Sequence, residues 1–293
     1  MTAPTSRYDP APVVRFWDSA VLPLLEARSP KSVIEIGSRD GGHTRLIAQW
    51  AAGHGASLHV IDPQPNFDVD AYTSEWPGHL TIHRDLSLNA LSAIGPADMI
   101  LIDGDHNWYT VNNELQEIER INPDWPLVLM HDVGWPYGRR DMYYQPETIP
   151  AEHRQPYGKG RMRPFHSALT DLGSNSPILR AEREGGSHNG VLTAVEDFLS
   201  QSDRELLLFA RPGPGGLGII ASAAALNGDA KLARALSEVH DPEYTVTISP
   251  VYGTREFGDV GVRVESGNGA PSWMTRLRRA QRRLRRGLRP LAR

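Results

Sequence analysis

The sequence predicts an α/β fold: a doubly wound, seven-stranded sheet, mostly parallel, whose last strand is antiparallel. Three observations predict it. Five short aliphatic or β-branched runs recur through the first half, SVIEIG (32–37), SLHVID (57–62), HLTIHRD (79–85), DMILID (98–103) and PLVLMHD (126–132), and most end in a carboxylate. The stretches between them carry helical spacing, and such alternation implies right-handed crossovers with a parallel sheet covered on both faces. Near the end, ELLLFA (205–210) and LGIIASA (217–223) flank the turn sequence RPGPGG and read as an antiparallel pair closing the sheet.

Taken in order, the first helix follows the first strand, with Leu46, Ile47 and Trp50 on one face. A second joins the fourth and fifth strands, with Val111, Leu115, Ile118 and Ile121 aligned. Periodicity then stops. Residues 134–177 hold six prolines, several glycines and many aromatics, the composition of a lid or binding loop. Helices are expected over 189–199 and 229–239, and a strand in YTVTISPVYG (244–253). The domain reading is a main domain over 1–225 with its lid insertion at about 134–187, an extension over 226–270, and a basic tail over 271–293.

Composition bounds the chemistry. The chain has 293 residues, 40% apolar and 23% charged, which is ordinary for a globular protein. It has no cysteine, so disulfides, thiolate metal sites and thiol catalysis are excluded. The start, MTAPTSRYDP, has neither a basic nor an apolar run, so a cytoplasmic location is expected rather than secretion. Nine of the 31 basic residues are arginines within 276–293, leaving 22 basic against 35 acidic residues elsewhere. An acidic body disfavours nucleic acid as a partner. Trp273, Leu277, Leu284, Leu288 and Leu291 share one side of a basic helix suited to an anionic membrane surface, with a solubilising tail as the competing reading.

Two constellations carry the chemistry. The first is Glu35-Ile36-Gly37-Ser38-Arg39-Asp40-Gly41, where glycines at a strand-to-helix turn let a ligand approach the backbone. Glu35 suits a cationic ligand better than a pyrophosphate. Asp62 ends the second strand, 21 residues after Gly41, where a carboxylate commonly accepts ribose hydroxyls; Asp85, with Leu86 after it, ends the third. The second constellation is Asp103-Gly104-Asp105-His106 with His131-Asp132 at the next strand end. Adjacent strand ends lie about 5 Å apart, so Asp103 and Asp132 can converge on one cation, to which His131 would be a softer ligand. Asp105 and His106 are the candidate bases.

This order of motifs resembles the class I S-adenosylmethionine-dependent methyltransferases, over roughly residues 33–223. The resemblance implies a Rossmann-like fold with S-adenosylmethionine as cofactor. Glu35, Gly37, Ser38 and Gly41 would surround its methionine part, Asp62 would hold the ribose, Asp85 and Leu86 the adenine, and Asp103 the methionine end or a metal. The second constellation is similar to that of the metal-dependent sugar and catechol O-methyltransferases, implying Mg2+ at Asp103, His131 and Asp132. A departure is the His131-Asp132 pair, where those enzymes carry acids or an amide. Trp135, Tyr137, Arg139 and Tyr143, at the start of the lid, are expected to face the acceptor.

The resulting expectation is metal-assisted O-methylation of a saccharide or other small molecule, by a protein that can form homo-oligomers. The alternatives are a non-catalytic binding protein of the same fold, or an RNA or N-methyltransferase that captures its substrate with the basic tail. A dehydrogenase is disfavoured by the glycine spacing.

Overall fold

The computed structural model describes residues 12–173 and 178–240. The expected strand over 244–253, the 226–270 extension beyond residue 240 and the basic tail lie outside the described residues. Strands β1 (Ser32–Ile36), β2 (Ser57–Ile61), β3 (Leu80–His83), β4 (Met99–Ile102) and β5 (Leu127–His131) come from the five aliphatic runs. The lid supplies β6 (Met142–Tyr143), β7 (Tyr157–Gly158) and β8 (Leu179–Ala181), and β9 (Leu206–Arg211) and β10 (Leu217–Ser222) complete the strands of the described residues. The main sheet has seven strands in the order β3-β2-β1-β4-β5-β10-β9. Only β10 runs against its neighbours. This is the predicted doubly wound architecture, with the antiparallel strand slotted beside β5 rather than at the edge.

Each face of the sheet carries one apolar layer. Helices α1 (Leu22–Arg28) and α2 (Gly42–His54) cover one face. There Leu24, Leu25, Ile47 and Trp50 pack with Val33, Leu58 and Met99. Helices α3 (Val69–Glu75) and α4 (Ser87–Ile94) follow β2 and β3, and α5 (Trp108–Ile121) follows β4. On the second face α5 and α6 (Val191–Gln201) bring Val111, Leu115, Ile118, Val195 and Phe198 against Ile34, Ile100 and Val128. Each such buried aliphatic side chain contributes about 1.5–3 kcal/mol. Helices α7 (Ala223–Gly228) and α8 (Ala230–Val239) end the described chain. Asp229 caps α8 by accepting from the Leu232 N–H at 2.9 Å, so the predicted helix over 229–239 forms with its cap in place.

The insertion is not a featureless loop. Strands β6, β8 and β7 form a separate three-stranded antiparallel sheet. Its anchor is Asp141, fully buried, whose Oδ1 accepts from the N–H groups of Trp108 (2.7 Å) and Gly190 (2.6 Å). One carboxylate thus serves the amino-terminal ends of both α5 and α6, where unpaired N–H groups favour negative charge. Burial raises the Asp141 pKa to about 6.

Candidate functional site

Strand register sets out the site. Ile36 pairs with Ile61 in β2 and Ile102 in β4, and Ile102 pairs with Met130 in β5. One residue further along, Asp62, Gly37, Asp103 and His131 therefore stand side by side on the carboxyl edge. β10 arrives from the opposite direction with Leu217 beside His131, which carries the turn before it underneath that histidine. The cleft above this edge is lined by Gly37, Ser38 and Arg39 on one side and by Asp103, His106, His131 and Asp132 on the other. Tyr144 of the lid, Val13 and His43 complete it.

The second constellation assembles as its spacing predicts. His131 Nδ1 lies 2.9 Å from Asp103 Oδ1 and 3.2 Å from Asp132 Oδ2. His106 Nε2 lies 3.4 Å from Asp132 Oδ2 and 4.0 Å from Asp103 Oδ1. Behind the cluster, His131 Nε2 is 2.9 Å from the carbonyl oxygen of Pro214. A carbonyl only accepts, so Nε2 carries the hydrogen and donates it. Nδ1 then meets two carboxylates, a position that demands a proton or a cation. Burial pulls the His131 pKa down, but Asp103 and Asp132 outweigh it and hold it well above the ordinary range. Burial likewise works to raise Asp132, yet His131 and His106 bring its pKa below the usual carboxylate value.

The donor set fits a metal ion. One imidazole nitrogen and two carboxylate oxygens, from Asp103, His131 and Asp132, lie within 4.8 Å of one another. The backbone is committed to this arrangement. Asp132 takes a positive φ of 60°, and at Gly215 (φ +74°) a Cβ would stand 2.3 Å from Asp132 Oδ1 and 2.7 Å from His131 Nε2. RPGPGG, read from sequence only as a strand turn, is the floor of the site.

The first constellation is differently employed than its sequence suggests. Glu35 does not face the cleft: it is fully buried, 2.9 Å from His43 Nδ1, and accepts from Thr44 Oγ1 at 2.6 Å. The buried carboxylate is satisfied by the first turn of α2 instead of by a ligand. Gly37 (φ +87°) is required because a Cβ there would come within 2.3 Å of the Asp103 carbonyl oxygen, a backbone approach rather than a ligand approach. Gly41 is closed off similarly by Tyr72 and Phe67. Asp62 Oδ2 accepts from Ser38 N–H (2.8 Å), Ser38 Oγ (2.8 Å) and Arg39 N–H (2.9 Å), and Oδ1 accepts from Gln64 N–H (2.8 Å). With about four lone-pair sites on a carboxylate, Asp62 is saturated by its own loops. Asp85 and Leu86 are exposed beyond β3. The Asn89 amide and the Leu86 N–H hold the Asp85 carboxyl below its usual range.

Of the candidate bases, His106 is buried in the cluster and stacks on Tyr137, ring centres 5.8 Å apart and nearly parallel. Asp105 accepts from Thr110 Oγ1 at 3.3 Å, and burial raises its pKa against the pull of His106. The lid residues divide. Trp135 is exposed. Arg139 instead pairs with Glu196 and bonds Thr193, because α6 packs under the lid's first turn. Tyr143 is buried, its hydroxyl donating to Asp141 at 2.8 Å. Its neighbour Tyr144, passed over in the sequence, is the tyrosine that lines the cleft. Burial, with Asp103 next, raises the Tyr144 pKa, so its hydroxyl keeps its proton at neutral pH. His43, which follows the glycines of the first constellation, also lines the cleft, and its buried Nε2 has no hydrogen-bond partner among the described residues.

Residues 34–133, which hold all of this machinery except the lid and the Pro214 turn, match a family model described as a methyltransferase domain. That stretch resembles a methyltransferase domain over about a third of the chain. Its sheet is the one expected of the class I enzymes named above. No protein of curated function matches the chain. Among solved structures, a Corynebacterium glutamicum protein is 11% identical, with 73% of this chain and 82% of that chain covered and a TM-score of 0.40. The SAH-bound Podospora anserina methyltransferase PaMTH1 is 15% identical, with 69% and 76% covered and a TM-score of 0.42. MycE methyltransferase of the mycinamycin biosynthetic pathway, in complex with Mg, SAH and mycinamycin VI, is 14% identical, with 71% and 48% covered and a TM-score of 0.41. Likeness this distant says nothing of what the methyltransferase domain acts upon. Among the described residues no helix is long and apolar enough to cross a membrane.

Proposed function

We propose that the protein is an S-adenosylmethionine-dependent O-methyltransferase for a hydroxyl on a saccharide or other small molecule, assisted by a divalent cation. The observation that carries the reading is the convergence of Asp103, His131 and Asp132 beside the Gly37–Arg39 turn, within a methyltransferase domain. The cofactor would lie along the carboxyl edge, its adenine toward Asp85 and Leu86 and its sulfonium toward Asp103. Asp62 would contribute by shaping the Ser38–Arg39 turn rather than by offering a free carboxylate.

The sulfonium methyl is already activated, so the acceptor hydroxyl is what needs help. A cation held by Asp103, His131 and Asp132 would lower the pKa of that hydroxyl. His106 takes the hydroxyl proton, and the nearby Asp132 carboxylate stabilises the imidazolium that results. The new O–CH3 bond forms as the S–CH3 bond breaks, leaving S-adenosylhomocysteine and a methyl ether. Tyr137 and Tyr144 would hold a sugar ring or other flat acceptor over His106.

Calorimetry with S-adenosylhomocysteine, followed by turnover of S-adenosylmethionine against hydroxylated acceptors with and without divalent cation, tests the reading. Binding and cation-dependent turnover are expected. A folded protein that gives no heat with S-adenosylhomocysteine overturns it.

A further inference from the structure

We infer that the cation site selects a first-row transition-metal dication over magnesium, through His131 Nδ1. The inference rests on the proposed function only in placing a cation at Asp103 and Asp132, and it concerns which cation.

The geometry carries it. Ligand atoms on adjacent vertices of an octahedron of about 2.1 Å bonds lie about 3.0 Å apart. His131 Nδ1 lies 2.9 Å from Asp103 Oδ1 and 3.2 Å from Asp132 Oδ2, which is this spacing on both sides. The nitrogen is not an accidental neighbour. The Pro214 carbonyl accepts the Nε2 hydrogen at 2.9 Å, so the ring presents its Nδ1 lone pair to the two carboxylates. An outer-shell carbonyl that fixes tautomer and orientation in this way is the usual support of a metal-ligating histidine. Phe16 packs edge-on to the ring at 6.0 Å, and Gly215 leaves no room for the ring to shift toward the turn.

Donor chemistry then decides the metal. Magnesium prefers oxygen ligands and keeps its waters, whereas the affinity of a mixed nitrogen and oxygen site for first-row dications rises from manganese through iron to cobalt, and imidazole suits iron and zinc. Two carboxylates with one committed imidazole nitrogen make a mixed site that rewards the softer ions.

The test uses the full chain and the metals alone. Calorimetry should give a Kd for Mn2+ at least tenfold below that for Mg2+, and Co2+ should develop d–d absorption bands on binding. His131→Asn, which offers an oxygen in place of the nitrogen, should shrink the Mn2+ over Mg2+ preference to about twofold. If that variant does not fold, pulsed EPR on Mn2+ bound to the unaltered protein should show coupling to one directly ligated 14N. Equal affinities for Mn2+ and Mg2+, absence of the nitrogen coupling, or failure of any metal to bind each overturns the inference. S-adenosylhomocysteine titrated in the same samples separates these outcomes from failure of the methyltransferase reading, because binding of that ligand does not depend on which metal is chosen.

Discussion

The Pro214 carbonyl oxygen sits 2.9 Å from Nε2 of His131, so a backbone atom of the β9–β10 turn sets the hydrogen position of a side chain at the end of β5. Two segments more than eighty residues apart in sequence thereby make one unit, and Gly215 permits the contact.

That unit should respond sharply to one methyl group. Gly215→Ala is expected to destabilise the fold by about 1–3 kcal/mol, through crowding of Asp132 and His131 and the positive φ, and to weaken divalent-cation binding at least tenfold. Gly185→Ala is the control. It shares a positive φ of 87° but meets nothing within 4 Å, so it should cost about 1 kcal/mol and leave metal affinity unchanged. Urea melts and metal titrations on both variants provide the check, and equal behaviour of the two would sink the idea.

Asp62 should prove as important to stability as to binding. Asp62→Ala removes an acceptor from three backbone N–H groups and the Ser38 hydroxyl. Unpaired buried donors cost about 1–3 kcal/mol each when water cannot reach them, so a loss on the order of 3 kcal/mol is expected in ligand-free protein. A melting temperature identical to that of the unaltered chain would show that the carboxylate is instead held available for a ligand.

Glu114 predicts a pH dependence. Burial raises its pKa from 4.5 to about 8, with Ser87 Oγ donating to it at 2.5 Å. Between those values the folded chain holds a proton that the unfolded chain has released. Stability therefore falls as pH rises from 4.5 to about 8, by on the order of 3 kcal/mol by pH 7 for this group. Glu114→Gln keeps the shape without the titration, so its stability should vary less across pH 5–8 than that of the unaltered chain. Parallel slopes in thermal melts across this range would contradict the assignment.

His106 is expected to matter to turnover rather than to cofactor affinity. His106→Gln should lower kcat by about 10²- to 10⁴-fold, the usual worth of a positioned base, with S-adenosylhomocysteine affinity within twofold. A change confined to KM would make His106 a binding residue.

The strand ends were readable from the chain because four of the five aliphatic runs stop at a carboxylate, and neighbouring parallel strands bring such ends together whatever the loops do. Helix α5 was readable for the same reason of periodicity, and the periodicity also held the signal for Glu114. That residue lies three after Val111 and four before Ile118, on the buried face. What the chain did not reveal depends on partners remote in sequence. Tyr143 and Tyr144 are adjacent, and successive side chains of extended backbone point to opposite sides, so only the pairing of β6 with β8 decides which one meets the cleft. Arg139 looked free for an acceptor until Glu196 of α6 was placed beside it. Pro214 acts through its carbonyl, a group every residue possesses, and no residue type announces that role. Glu35 and Asp62 were read as acids facing a ligand, whereas the tight coil of the loop buries them and fills them with His43, Thr44, Ser38 and Arg39.

Asp141 ties the lid's first turn to the amino-terminal ends of α5 and α6, and the Met142 N–H donates to the His106 carbonyl at 3.0 Å. The lid's first turn is therefore tied to the helix that follows His106, and moving it would break the hydrogen bonds of Asp141 and Met142. If the protein methylates an acceptor as proposed, such a wall would choose it by contour. Changing what the cleft admits would then be a matter of recarving it at Tyr144, with the frame behind left untouched.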